Sequence, residues 1–312
     1  MAHTTAQIGH LIRSEVWSSQ LKEVLEDELQ SQGYVNWMTE FPDGTTFTIP
    51  SIGQAQTDDY TEDTAVEYRA LDTGEFQFTI NKYKSSGTYI TNKAKQDSFY
   101  MNQLVSAFVP KQGRSIMETV ETDIFALESE QTSANLNNIN GAPHRFVGSG
   151  TNEVITVADF AKARFSLKKA NVPDANLIAV VDPSVEYTLN TLTNLTSVSN
   201  NPKWEGVISQ GVATGMKFVV NVYGFDVYTS NYLADANETV DSVTTAAGKA
   251  NMFFSAVSDV LPFVGAWRQM PQVDSEYNKD FQREEYVTTA RYGVKLFRPE
   301  NLVCCLTDTD QV

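Results

Sequence analysis

From Ser98 to Gln131 the apolar residues recur every three or four positions: Met101, Leu104, Val105 and Phe108, then Ile116, Val120, Ile124 and Leu127. That period places them along one face of a helix. Continuous, such a helix would be roughly 50 Å long at about 1.5 Å per residue, more than a compact domain ordinarily holds. Pro110, which has no amide proton to donate, and Gly113 are expected to kink or split it. Lys111, Arg114, Glu118, Glu121 and Glu128 fall on the other face, which is expected to be wet or to meet partners. A helix of this length can serve as a beam with separate parts at its ends. The alternative is an ordinary core helix followed by a short second one.

At 312 residues, 41% hydrophobic and 20% charged, the chain can build one large domain or two modest ones around a substantial core. No apolar run approaches the roughly 20 residues that a membrane-spanning helix requires. The opening MAHTTAQIGH has no basic stretch followed by an apolar one, so neither a secretory leader nor a membrane is expected. Cys304 and Cys305 are adjacent, and alternation along a strand would send them to opposite faces. They read as buried thiols of a reducing compartment, not as a disulfide. The formal charge is −16 and no cluster of Lys and Arg is present, which argues against gripping nucleic acid through its phosphates.

Residues 8–30 have the pattern of an amphipathic helix, with Leu21, Val24, Leu25 and Leu29 as its stripe and Gly33 as its stop. It would be an arm on another subunit or a helix on its own core. From Phe41 the pattern turns to β. Thr46, Phe47, Thr48 and Ile49 alternate until Pro50 and Gly53 interrupt, and alternation resumes at Phe76, Phe78 and Ile80. Between them lies a long polar segment containing Asp58, Asp59, Glu62 and Asp63, which describes a projecting β-loop. From Asp43 to Glu75 there are eight acids against the single Arg69. The Asp-x-Asp-x-Asp-Gly spacing of a calcium loop is absent, so a solvated acidic face is the better reading.

Beyond the long helix, residues 133–152 read as a loop or a short hairpin. Thr156 with Asp159 starts a helix whose inner face is expected to be Val157, Phe160, Ala161 and Phe165, ended by Asn171 and Pro173. Leu177 to Val181 is a buried strand, and Asp182-Pro183 starts a further helix with Leu189 and Leu192 inward. The α-β-α order opens a second module. Two strands meet at Tyr223-Gly224, residues 234–249 look like an exposed loop, and residues 283–306 are the strongest β region, broken at Pro299.

Catalytic material is scarce. The only histidines are His3, His10 and His144, and His144 reads as a loop residue. Neither a zinc cluster nor a Ser-His-Asp arrangement has obvious components. No nucleophile elbow or phosphate-cradling loop occurs. No cofactor, metal site or enzymatic activity is expected.

The order of parts, with three stretches, carries a resemblance. The stretches are Asn171-Val172-Pro173 before the strand ending in Asp182-Pro183, Gly224 to Asn231, and Tyr292 to Asn301. Over roughly residues 40–306 the chain resembles the major capsid proteins of tailed bacteriophages, with the α+β Hong Kong 97 fold. The resemblance implies an N-terminal arm (1–40), an extended β-loop (41–85), a peripheral domain with the long spine helix (86–150 and 275–312) and an axial domain (151–274). It implies pentamers and hexamers closing into an icosahedral shell around double-stranded DNA held without sequence-specific binding, in a virion assembled in the bacterial cytoplasm. Portal, a separate scaffolding protein and a cement protein are the further partners it suggests. Some members join a lysine of the extended loop to a neighbour's asparagine. Between Phe41 and Asn81 this chain has no lysine, which speaks against that crosslink.

On this resemblance Asp58, Asp59, Glu62 and Asp63 are expected to meet basic residues of a neighbouring copy, with Lys111, Arg114, Lys279 and Arg283 as candidates. Phe47, Ile49, Phe76 and Phe78 would hold the stem of the loop or pack on the neighbour. The runner-up readings are an encapsulin-type compartment and a soluble α+β enzyme.

Overall fold

The computed structural model describes residues 29–38, 46–52, 57, 59, 61–63, 65, 73–97, 101–132, 137–191, 221–240, 243–245 and 248–308. The expected arm helix lies outside these apart from Leu29 and Gln30, and so do Asp58 and Leu192. In chain order the elements are β1 (Val35–Met38), β2 (Thr46–Ile52), β3 (Thr73–Thr79), β4 (Lys82–Thr91), α1 (Asn92–Asp97), α2 (Met101–Phe125), β5 (Asn138–Ile139), β6 (Ala142–Pro143), β7 (Arg145–Val147), α3 (Val157–Lys169), β8 (Leu177–Val181), α4 (Pro183–Thr191), β9 (Asn221–Val222), β10 (Phe225–Thr229), β11 (Asp235–Ala236), β12 (Thr239–Val240), β13 (Val243–Thr244), β14 (Gly248–Ser255), β15 (Phe263–Asn278), β16 (Arg283–Leu296) and β17 (Val303–Asp308).

The long helix forms, but it does not split. α2 continues through Pro110 and Gly113 and tightens into a 3-10 turn over Ala126–Thr132. Pro110 is on the exposed side, where a carbonyl left without an amide partner can turn to water. Ile116, Val120, Ile124 and Leu127 are buried as the period requires, whereas Phe108 is exposed. Two residues expected on the wet face, Glu121 and Glu128, are buried. Each has found a partner remote from the helix. The Glu121 carboxylate accepts from the backbone amides of Gln30 and Ser31, and Glu128 Oε2 accepts from Arg145.

One sheet has the order β1-β15-β16-β4. Its centre is the β15–β16 hairpin, paired from Phe263↔Leu296 to Asn278↔Arg283 and roughly 50 Å long. β1 runs parallel to β15, but only along residues 263–266. Trp37 stacks on Trp267 with ring centroids 5.0 Å apart, beside Gly265, where an added Cβ would lie 2.7 Å from the Trp37 ring. Among the described residues β15 is an edge strand beyond Ala266, and its register slips on either side of Gln269, next to Pro271. An edge with a bulge is where a strand tolerates proline. Pro50, expected to interrupt, likewise lies inside β2 of a two-stranded ribbon. α2 covers one face of the sheet, its Val120, Ile124 and Phe125 packing with Tyr292, Val294 and Leu296.

The second sheet has the order β7-β17-β14-β8-β10-β9, with β11 on the side of β14. The expected α-β-α unit is present. Thr156 and Asp159 form a capping box, and Asp182 Oδ2 accepts from the Ser184 amide at the start of α4. The inner face of α3 differs from expectation: Phe160, Ala163 and Leu167 are buried, while Phe165 is exposed. The β9–β10 turn uses positive φ at both Tyr223 and Gly224, as tight hairpins do. Residues 234–249 are not an open loop. They include β11, β12 and β13, with Ala236 and Thr245 buried.

Cys304 and Cys305 are buried thiols on opposite faces of β17, one in the core under α2 and the other in the core under α3. His144 is wholly buried, not a surface loop residue. Its Nδ1 lies 3.0 Å from the Ala142 carbonyl, and burial pushes its pKa down. Strand pairing also crosses the divisions drawn at 150 and 274. β7 and β17 belong to the second sheet, and β15 joins the first from Phe263 onward.

Candidate subunit interface

The β2–β3 ribbon is in register from Thr46↔Thr79 to Ile52↔Thr73, and alternation puts Phe47, Ile49, Phe76 and Phe78 on one side. That side meets the first sheet on the face away from α2. Phe78 is fully buried with Ile80, Val264 and Ala266, and Phe47 and Phe76 pack beside them. Phe76 meets Phe297 edge-on with centroids 5.0 Å apart, and Lys295 Nζ donates to the Gln77 carbonyl at 3.0 Å. The backbone approaches closely enough that a Cβ at Gly293 would lie 2.7 Å from the Thr79 oxygen. Phe76 and Phe78 thus pack within their own chain. Ile49 is half-buried.

Toward the far end of this ribbon, Asp59, Glu62 and Asp63 are exposed. Of the four candidate cations, two lie on α2 and two at the tip of the long hairpin. Lys111 and Arg114 lie half-buried on α2, where Arg114 Nε is 3.1 Å from Glu118 Oε1 and the Tyr232 hydroxyl donates to the same oxygen. Lys279 and Arg283 flank the tip of the long hairpin. Lys279 is exposed. The Arg283 guanidinium sits 4.5 Å from the Tyr89 ring and 4.7 Å from that of Phe281, and its Nε is 2.6 Å from Glu285 Oε1. Arg283 is therefore already engaged within its own hairpin. Gln112 of α2 reaches this region, donating to the Tyr286 carbonyl and accepting from Thr288.

Sequence reasoning missed an exposed apolar surface here. Residues paired across β4 and β16 share a face, and Tyr83, Tyr89, Phe281 and Val287 stand exposed on or beside the side not covered by α2. The sequence of β4, KYKSSGTYIT, has no apolar alternation that would have marked this face, although its residues switch between half-buried and exposed along its whole length. The charge is uneven as well: residues 82–97 carry Lys82, Lys84, Lys93 and Lys95 against Asp97. Lys95 Nζ contacts Glu284 at 2.6 Å and, through that hydrogen bond, holds the Glu284 carboxyl below the usual carboxylate range. Lys82 and Lys84 turn toward Asp123 of α2, at 2.9 and 3.8 Å. Among the described residues there is no group of three or more side chains suited to a metal ion.

A family model described as "Phage capsid protein" matches residues 73–304. No curated protein matches the sequence. Among solved structures, a chain from Mycobacterium phage Che8 superposes with a TM-score of 0.69 at 18% identity, covering 95% of this chain and 97% of that one. The capsid of the cyanophage P-SCSP1u gives 0.73 at 15% identity, covering 95% and 93%. The mature capsid of bacteriophage PhiM1 gives 0.69 at 12% identity, covering 99% of each chain. At these identities the likeness is one of fold.

Proposed function

This chain belongs to the phage capsid protein family, and from that premise we propose that its copies gather as pentamers and hexamers which close into an icosahedral head around double-stranded DNA. The observation that carries the reading is the family match across residues 73–304, together with a capsid fold extending over nearly the whole chain. The role is structural. In this reading the first sheet with α2 is the peripheral body, the second sheet with α3 and α4 is the axial body, and the β2–β3 ribbon is the stem of the extended loop.

The loop acids Asp58, Asp59, Glu62 and Asp63 meet a neighbouring copy, with Lys279 at the exposed hairpin tip the foremost of the four cations. Lys111, Arg114 and Arg283 are the other candidates. Exposed pairs of this kind contribute about 0–1 kcal/mol each and weaken with salt, so they set register more than strength. Repetition over a closed shell makes the assembly far more persistent than one interface. A chain of charge −16 without a phosphate-binding cluster suits an inner wall along which DNA packs without sticking. Portal, scaffolding and cement proteins are partners by the same reading, and assembly takes place in the host cytoplasm.

Electron microscopy of the purified protein tests this directly. Closed icosahedral shells are expected. A species that stays monomeric at high concentration and in the presence of co-expressed phage head proteins would overturn it.

A further inference from the structure

The second sheet presents two different surfaces on its opposite sides. α3 packs on one face through Phe160, Ala163 and Leu167, which share a core with Phe225 and Val227 of β10. The far side of α3 turns outward and carries Lys162, Phe165, Lys168 and Lys169, all exposed. Lys162 Nζ lies 4.2 Å from the Phe146 ring and Lys168 Nζ lies 2.9 Å from Asp174. Lys169 has no ion-pair partner among the described residues. Because side chains alternate along a strand, Asp226 and Tyr228 of β10 project from the other face of the sheet, where both are exposed. Arg164 fixes the relation between the two surfaces within one copy. Its Nε and Nη2 donate to Asp174, and its Nη1 donates at 3.0 Å to the Tyr223 carbonyl in the β9–β10 turn.

We propose that these surfaces meet between successive copies: the outward side of α3 in one copy packs on the open face of β10 in the next, with Phe165 against Tyr228 and Lys169 against Asp226. The inference rests on the capsid reading and names a contact that joins the second modules of neighbouring copies within one pentamer or hexamer. Three observations select a second copy as the occupant. The two surfaces lie on opposite sides of one sheet, so they cannot meet within a chain. Two unlike surfaces that join head to tail generate a closed ring when the rotation closes, which is the arrangement a pentamer or hexamer needs. Their chemistry also matches in spacing. Phe165 and Lys169 are one helical turn apart, about 6 Å along the axis, and Asp226 and Tyr228 are about 7 Å apart on one strand face. Ring therefore sits on ring while cation sits on carboxylate. The aromatic pair supplies the buried anchor and the charge pair fixes its register.

The test combines Phe165→Cys with Tyr228→Cys in the full-length chain, whose Cys304 and Cys305 are buried and contribute no background. After mild oxidation of assembled shells, a non-reducing gel should show a ladder of linked chains that stops at the hexamer, while each single variant stays one chain long. In parallel, Lys169→Asp and Asp226→Lys should each lower the yield of shells, and the two together should restore it. Shells in which the double-cysteine chain stays unlinked, or in which one single variant links as readily as the pair, would overturn the proposal and leave the capsid reading standing. Where the cysteine chains do not assemble, the charge reversals decide: single reversals that assemble like wild type, or a double reversal that recovers nothing, overturn it. Failure of the wild-type chain to form shells at all would instead remove the capsid reading on which the proposal rests.

Discussion

Arg145 Nη1 donates to Glu128 Oε2 at 2.5 Å, with 2% and 4% of the two side chains exposed. The same guanidinium bonds Glu238 through Nε at 2.9 Å and again through Nη2. One buried cation thus ties the terminal turn of α2, the edge of the second sheet and the segment between β11 and β12. Arg145→Met would leave two carboxylates without their cation, and breaking such a pair costs about 3–5 kcal/mol. Thermal unfolding should show that loss, and adding Glu128→Gln to the same chain should recover part of it.

Glu128 of this cluster and the buried His144 each set a pH dependence of defined sign. Burial raises the Glu128 pKa above its ordinary 4.5, against the pull of Arg145. Its contribution to stability is therefore full below 4.5 and declines as pH rises through the folded value. Burial lowers His144 below its ordinary 6.5, so its contribution is present above 6.5 and declines as pH falls. Melting temperatures of Glu128→Gln relative to wild type should therefore improve from about pH 4 to about pH 8. For His144→Gln the difference should improve in the opposite direction.

The β2–β3 ribbon gives a second stability prediction. Phe78 is fully buried between the ribbon and the first sheet, so Phe78→Ala should cost about 3–5 kcal/mol. Phe76 is half-buried against Phe297, and Phe76→Ala should cost less. Limited proteolysis should cut the ribbon of either variant sooner than the β15–β16 hairpin. Equal protection of the ribbon in Phe78→Ala and wild type would contradict this account of its packing.

Replacing Asp58, Asp59, Glu62 and Asp63 with Asn and Gln should leave the circular dichroism and melting temperature of the subunit close to wild type. The three of these residues that are described are exposed, and surface changes of this type are usually within about 0.5 kcal/mol. Assembly followed by light scattering should be impaired, with the deficit greatest at low salt, where charge pairing contributes most. Unchanged assembly across the salt range would sink the proposed role of these acids.

How much of this was legible depends on distance along the chain. The capping box at Thr156 and Asp159 and the Asp182-Pro183 helix start are local, and their spacing alone identified them. The helical period from Ile116 to Leu127 and the alternation of β2 and β3 were equally direct. What could not be read was every acid whose partner is remote. Glu121 is held by Ser31, 90 residues earlier, and Arg145 by Glu238, 93 residues later. Such residues look like a solvated face until the fold supplies the counterpart. β15 was missed because Pro271 and its mixed polarity hide a strand whose irregularity is tolerated only at an edge. Of the residues expected at a subunit interface, the ribbon phenylalanines were identifiable as one side of a strand pair. The internal commitment of Arg114 and Arg283 was not.

The insertion of β17 between β7 and β14 bears on how the polypeptide emerges from the ribosome. Cys304, Cys305 and Leu306 pair with residues 145–147, so the second sheet stays gapped until translation has passed residue 308. At about 5–20 residues per second, β7 waits roughly 10–30 s for its neighbour. Two unsatisfied strand borders stand open during that interval. A product truncated before Val303 would keep them permanently, and it should partition into inclusion bodies instead of poisoning growing particles.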